Sequence, residues 1–167
     1  REEKKQSVPL EFELERRLLF LILNIENVEK YIENFHPDFF NDAFCNRIFA
    51  FLIDFFHTNG KFDADIFTDA IKTIFGADEE NVFFYFKDEF FNNEKYKNKT
   101  EIQLELTLND LKIERIRNRK KNLTIAIKEA ENNGDINRVD TLRYEFQSLA
   151  MEEKKINKEK TSIKKFY

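Results

Sequence analysis

Apolar residues recur at intervals of three and four through most of the chain, the spacing that gathers side chains on one face of an α-helix. The periodic segments lie near 9–25, 27–34, 38–58, 63–75, 79–91, 101–132 and 135–162, which predicts helices throughout and no sheet. The run "VFFYF" at Val82–Phe86 has the composition of a strand, but it follows "DEEN" and continues to Phe90 at helical spacing, so a helix is expected there too. Pro9 and Pro37 suit first helical turns, where a backbone N–H has no partner to lose. Gly60, Gly76 and Gly134 each close a periodic segment and are followed within three residues by Asp63, Asp78 and Asp135. Glycine accepts the left-handed stop of one helix, and the aspartate can accept the free N–H groups of the next.

Two textures divide the chain. Eighteen of the 20 Phe residues precede Glu101, at positions such as Phe44, Phe51, Phe55 and Phe67 among Leu and Ile, which predicts a core-building bundle. From there Ile102, Leu106, Asn109, Ile113, Ile116, Lys120, Leu123, Ile127 and Ala130 keep an alternation of four and three, the seam of a long helix that packs lengthwise. An answering seam follows Gly134: Val139, Leu142, Phe146, Leu149 and Ile156. The turn residues Asn133, Gly134 and Asp135 join the two, so the seams can face each other within one chain, which argues against a homodimeric coiled coil. The predicted fold is all-α: an N-terminal helical bundle over 1–110, a long connecting helix, and a C-terminal antiparallel helical hairpin over 111–167, one helix being shared across the boundary.

Composition supports the helical reading, since 36% of residues are charged and there are only three Gly and two Pro in 167 residues. The abundance of Lys, Asn, Ile and Phe has the look of AT-rich coding and points to a bacterium. A lone cysteine, Cys45, rules out an internal disulfide framework and fits a reducing cytoplasm. The longest uncharged apolar stretch, Leu18–Ile25, is far short of the roughly 18 residues that suggest a membrane span. The net charge of −4 is unevenly spread: 16 acids face 8 bases over 26–101, and 15 bases face 9 acids over 112–167. Such asymmetry suits an acidic partner for the basic half, or neutralisation between the halves. The start at Arg1 suggests a piece of a longer protein, with any chemistry upstream.

Chemistry is hard to find in the residues. His36 and His57 have no second His or Cys at ligand spacing, so no metal site is expected. Asp63, Asp65 and Asp69 superficially resemble a calcium loop, but Thr68 stands where that loop needs Gly and Ile74 where it needs Glu. Phosphate-cradling glycine motifs and a G-x-S-x-G elbow are missing, and Cys45, in "AFCNRIF", reads as a buried, inert thiol. The expectation is a non-enzymatic fragment with no catalytic, cofactor-binding or metal-binding residues. For nucleic acid the candidate is "ERIRNRKK" at Glu114–Lys121, where Arg115 and Arg119 fall on one side of a helix and Arg117 and Lys121 on the other. Without a single basic stripe this reads as the solvated surface of a long helix. The terminal "EKTSIKKFY" places Ile163, Phe166 and Tyr167 at the end of a basic segment, either a frayed tail or a docking segment.

The ordered series "LERRLLFLILN" (Leu14–Asn24), "HPDFFNDAFCNRIFAFLIDFF" (His36–Phe56), "NGKFDADIFTDAI" (Asn59–Ile71) and the long stretch from Leu106 to Ile156 around the Gly134–Asp135 turn resembles the C-terminal helicase-binding domain of bacterial DnaG-type primases. The resemblance covers nearly the whole chain through weak motifs, and the heavy Phe and Asn content with the polar seam residues Asn109 and Lys120 departs from the family pattern. It implies a helical bundle related in fold to the N-terminal domain of the replicative helicase, followed by a terminal hairpin that binds that helicase. The zinc-binding and RNA-polymerising parts of the primase would lie upstream. The helicase contact, carried over, falls on Ile163, Lys164, Lys165, Phe166 and Tyr167. The function so implied is a protein-interaction domain of the primosome in DNA replication, cytoplasmic and without cofactor. Weak nucleic-acid contact and self-association through the hairpin stay open. One alternative is the N-terminal domain of a DnaB-type replicative helicase, against which stands the basic end at Tyr167. Another is a helical nucleic-acid-binding module using Arg115, Arg117, Arg119 and the Lys-rich tail.

Overall fold

The computed structural model describes residues 8–25, 27–75 and 100–166. The expected helix at 79–91 and the Gly76–Asp78 boundary lie outside the described residues, as does Tyr167. Those described form six α-helices, one 3₁₀ turn and no strand: α1 (Leu10–Leu23), α2 (Glu29–Asn34), the 3₁₀ turn (Pro37–Phe39), α3 (Ala43–Asn59), α4 (Ala64–Ile74), α5 (Thr100–Asn132) and α6 (Ile136–Phe166). The protein is all-helical over these residues, and none of the helices is long and apolar enough to cross a membrane. The chain divides into two compact units, Arg1–Thr107 and Leu108–Tyr167.

In the first unit α1 changes character along its length. Glu11 and Glu13 open it, but Leu18, Leu19, Phe20, Leu21, Ile22 and Leu23 are all buried, on every side of the helix. A helix apolar all round has to run through a core, where an amphipathic one would lie on its surface. Helix α3 contributes Ile48, Phe49 and Leu52, each fully buried, and α4 contributes Phe67 and Ile71. The phenylalanines contact one another in a chain of rings. Phe67 lies 5.4 Å from each of Phe51, Phe55 and Phe62, and Phe40 lies 5.1 Å from Phe49. Edge and tilted geometries dominate, as the ring quadrupole favours.

Punctuation follows local chemistry. Gly60 adopts φ 68°, its N–H bonding the Phe56 carbonyl to stop α3, and the Asp63 side chain accepts from the Asp65 and Ile66 N–H groups to start α4. Pro37 departs from expectation. It opens only the 3₁₀ turn, and the chain then breaks before α3 begins at Ala43, so the segment expected as one helix from 38 is two elements.

That break is held by a buried polar cluster. Glu15, fully buried on α1, accepts hydrogen bonds from the backbone N–H of Asn41 at 3.1 Å and of Asp42 at 2.7 Å. Asp42 caps α3 by accepting from the Phe44 N–H, and it also takes the Arg16 Nε at 2.5 Å. The Arg16 guanidinium sits 5.3 Å from the centre of the Phe44 ring. Cys45 donates its thiol hydrogen to Asp42 and is buried; burial first, then the Asp42 and Glu15 charges, push its ionisation well above the ordinary thiol value. A thiol so placed is poorly nucleophilic.

Candidate docking surface

The second unit consists of the later part of α5 and all of α6, and the turn between them follows from three residues. Asp135 N–H bonds the Ala130 carbonyl and Gly134 N–H bonds the Glu131 carbonyl, the paired bonds of a Schellman stop, with Gly134 at φ 70°. The Asp135 side chain then accepts from the Arg138 N–H to start α6. Asn133, Gly134 and Asp135 therefore reverse the chain with no intervening loop.

Ion pairs show that α5 and α6 run antiparallel side by side. Along α5 from Asp110 to Glu131, the α6 partners descend from Lys160 to Arg143. Asp110 meets Lys160, Arg117 and Lys120 both meet Glu153 (2.9 and 2.8 Å), Arg119 meets Glu145 (2.7 Å) and Glu131 meets Arg143 (2.7 Å). Between them runs the apolar seam. Leu123, Ala130, Val139 and Ile156 are buried, and Ile127, Leu142, Phe146 and Leu149 are half-buried. Ile113, Ile116 and Ile156 form a small core against which Leu149 packs.

Glu153 joins the seam residues that apolar spacing alone picks out, and the sequence holds a signal for it. Between Leu149 and Ile156 the alternation of three and four leaves one position empty, and Glu153 fills it. The same rhythm, continued, passes through Lys160 to Ile163. Lys120, a polar departure from the α5 seam, faces Glu153 with both side chains mostly covered (23% and 15% exposed). The Lys120 ammonium also lies 5.3 Å from the Phe146 ring centre. A polar pair inside an apolar seam fixes register, because any slip leaves both charges unpaired. Arg117, Arg119 and Lys121 are exposed, as expected of a solvated helix surface, and Arg117 and Arg119 also reach α6 from the two flanks of the seam, where they pair with acids.

Hydrogen bonds from Lys120 and then Arg117 hold the Glu153 carboxyl below its ordinary value of 4.5. A depressed carboxylate stabilises the fold above its unfolded value and loses that contribution as the pH falls through the folded value. Stability of the helix pair is therefore expected to decline on acidification from about pH 4.5 downward, and less so in Glu153→Gln. Glu153→Ala alone is expected to cost about 1–2 kcal/mol by stranding Lys120. Lys120→Leu with Glu153→Leu should be neutral or stabilising, which urea titration would check.

Near the turn, Thr124, Ile127, Lys128, Glu131, Arg143, Phe146 and Gln147 line a groove of about 320 Å³ with an apolar floor. At the other end, α6 runs past its last ion pair with α5 at Lys160. There Ile163 is half-buried and Lys164 and Lys165 are exposed; Phe166 is the last helical residue. Among the described residues, no group of three or more His, Cys, Asp or Glu could hold a metal ion. His36 and His57 are exposed, His36 accepting the Asp38 N–H through Nδ1. No protein-family model, no curated protein and no solved structure matches the chain.

Proposed function

We propose that this chain is a non-catalytic docking module, the C-terminal helicase-binding domain of a primase, which ties primer synthesis to duplex unwinding in the bacterial cytoplasm. The bundle-then-hairpin order of the fold is part of that reading, and its first support is the sequence resemblance. The observation that carries it is the antiparallel α5–α6 pair, pinned by ion pairs along its length, whose last turn extends beyond Lys160. There Ile163 continues the seam and is half-buried, while Lys164 and Lys165 beside it are exposed and open to a partner. A helix pair offering an amphipathic end can lie against a helical partner, and tethering then raises the effective concentration of an attached active site without altering its chemistry.

The contact is assigned to Ile163, Lys164, Lys165, Phe166 and Tyr167. Substituting the exposed Lys164 and Lys165 together by Glu is expected to weaken binding to the replicative helicase of the same organism at least about tenfold. Calorimetric titration measures it, with an unchanged melting curve as the control. Equal affinity in the variant would move the contact elsewhere, and no binding by the parent chain would remove the proposal.

A further inference from the structure

The face of α6 turned away from α5 takes no part in the helix pair. The seam positions of α6 are 142, 146, 149, 153, 156 and 160; two residues on from each, about 200° around the helix, stand Tyr144, Ser148, Met151, Lys155, Lys158 and Ser162. Tyr144 is 77% exposed and Met151 74%. Lys154, beside this row, is exposed together with Lys155 and Lys158. None of these three lysines makes an ion pair among the described residues, unlike Arg117, Arg119, Lys120, Arg143 and Lys160, which are all engaged across the pair. Glu152 and Glu159 stand about as near the row as Lys154 does, on its opposite side, and its one acid, Asp140, lies a turn before Tyr144.

We propose that this face, from Tyr144 to Lys158, binds single-stranded nucleic acid, with Lys154, Lys155 and Lys158 on phosphates and Tyr144 beneath a base. Lys154 and Lys158, one turn apart on the side of the row away from Glu152 and Glu159, form with Lys155 a local cationic cluster that suits phosphates. Lysines serve as point charges and do not impose the bidentate geometry of arginine. Tyr144 stands without an apolar patch around it, since Ser148 separates it from Met151. A solitary exposed ring is a weak anchor for a protein surface but a sufficient platform for a base. The stretch spans about 21 Å, room for the smallest single-strand sites of about four nucleotides. Arg117 and Arg119 play no part, because they are already tied to Glu153 and Glu145. Nucleic-acid binding on this face does not depend on helicase docking at the end of the pair.

Fluorescence anisotropy of a labelled oligo(dT) of about twelve nucleotides, titrated with the intact chain at several salt concentrations, tests it. Three phosphate contacts predict a log–log salt slope of about −2. K154Q, K155Q and K158Q combined should bring the slope near zero and weaken low-salt binding at least about tenfold. Tyr144→Ala should weaken binding roughly five- to a hundredfold with the slope unchanged. All four substitutions are at exposed positions, so melting curves matching the parent's verify folding. No binding of oligo(dT) at low salt overturns the proposal, as does a parental slope in the lysine variant. Equal binding of polyphosphate and oligo(dT), with Tyr144→Ala unaffected, overturns it in favour of a plain polyanion or acidic-protein surface.

Discussion

Ile156→Asp is expected to cost about 3–5 kcal/mol and to release α6 from α5. Ile156 is 6% exposed and forms, with Ile113 and Ile116, the small core of the second unit. The substitution removes the aliphatic contacts and places a carboxylate among isoleucines. It stands one turn from Glu153, whose two cationic partners are already committed. Two helices with so few buried residues have little else to hold them, so a loss of this size is a large fraction of their stability. Ile156→Val, which keeps the shape, should cost only about 0.5–1.5 kcal/mol. Urea denaturation followed by circular dichroism measures both. An unchanged midpoint in the Asp variant would mean that the seam does not hold the pair together.

Glu15→Ala is expected to destabilise the first unit by about 3 kcal/mol or more. Here the carboxylate is the structural element, because it closes a chain break that no helix can close. Removing it leaves the N–H groups of Asn41 and Asp42 without their acceptor and brings Asp42, Arg16 and the start of α3 with it. Glu15→Gln separates the contributions. An amide keeps one accepting oxygen and replaces the other with a donor, so one of the two backbone N–H groups loses its partner, at about 1–3 kcal/mol. The order Ala worse than Gln, both worse than parent, is the expected outcome of thermal melts. A Gln variant as stable as the parent would show that the second hydrogen bond contributes nothing.

Ile156 and Glu15 differ in how far the sequence reveals them. The α5 seam is legible because an alternation of three and four sustained from Ile102 to Ala130 is the mark of a long helix packed along one side. Ile156 belongs to the answering seam and is legible for the same reason. The stops at Gly60 and Gly134 are legible because left-handed glycine followed by a capping aspartate is local chemistry. Glu15 is not legible as a core residue. In "FELERR" it sits among charged neighbours, and what buries it is a segment 26 and 27 residues later in the chain. The same remote contact breaks the segment after Pro37, where periodicity alone predicts a continuous helix. Glu153 is half legible. Its position is implied by the seven-residue gap between Leu149 and Ile156, but a charged side chain there becomes intelligible only once Lys120 is opposite it. Function is less legible still, since docking surfaces depend on what a helix leaves uncovered, and that is set by its neighbours.

The central claim, that the end of the α5–α6 pair docks on the replicative helicase, is tested most directly by amide hydrogen exchange on the intact chain with and without the helicase. Added protection concentrated over residues 156–166 of α6 is the predicted result. Exchange there unchanged by the helicase would contradict it.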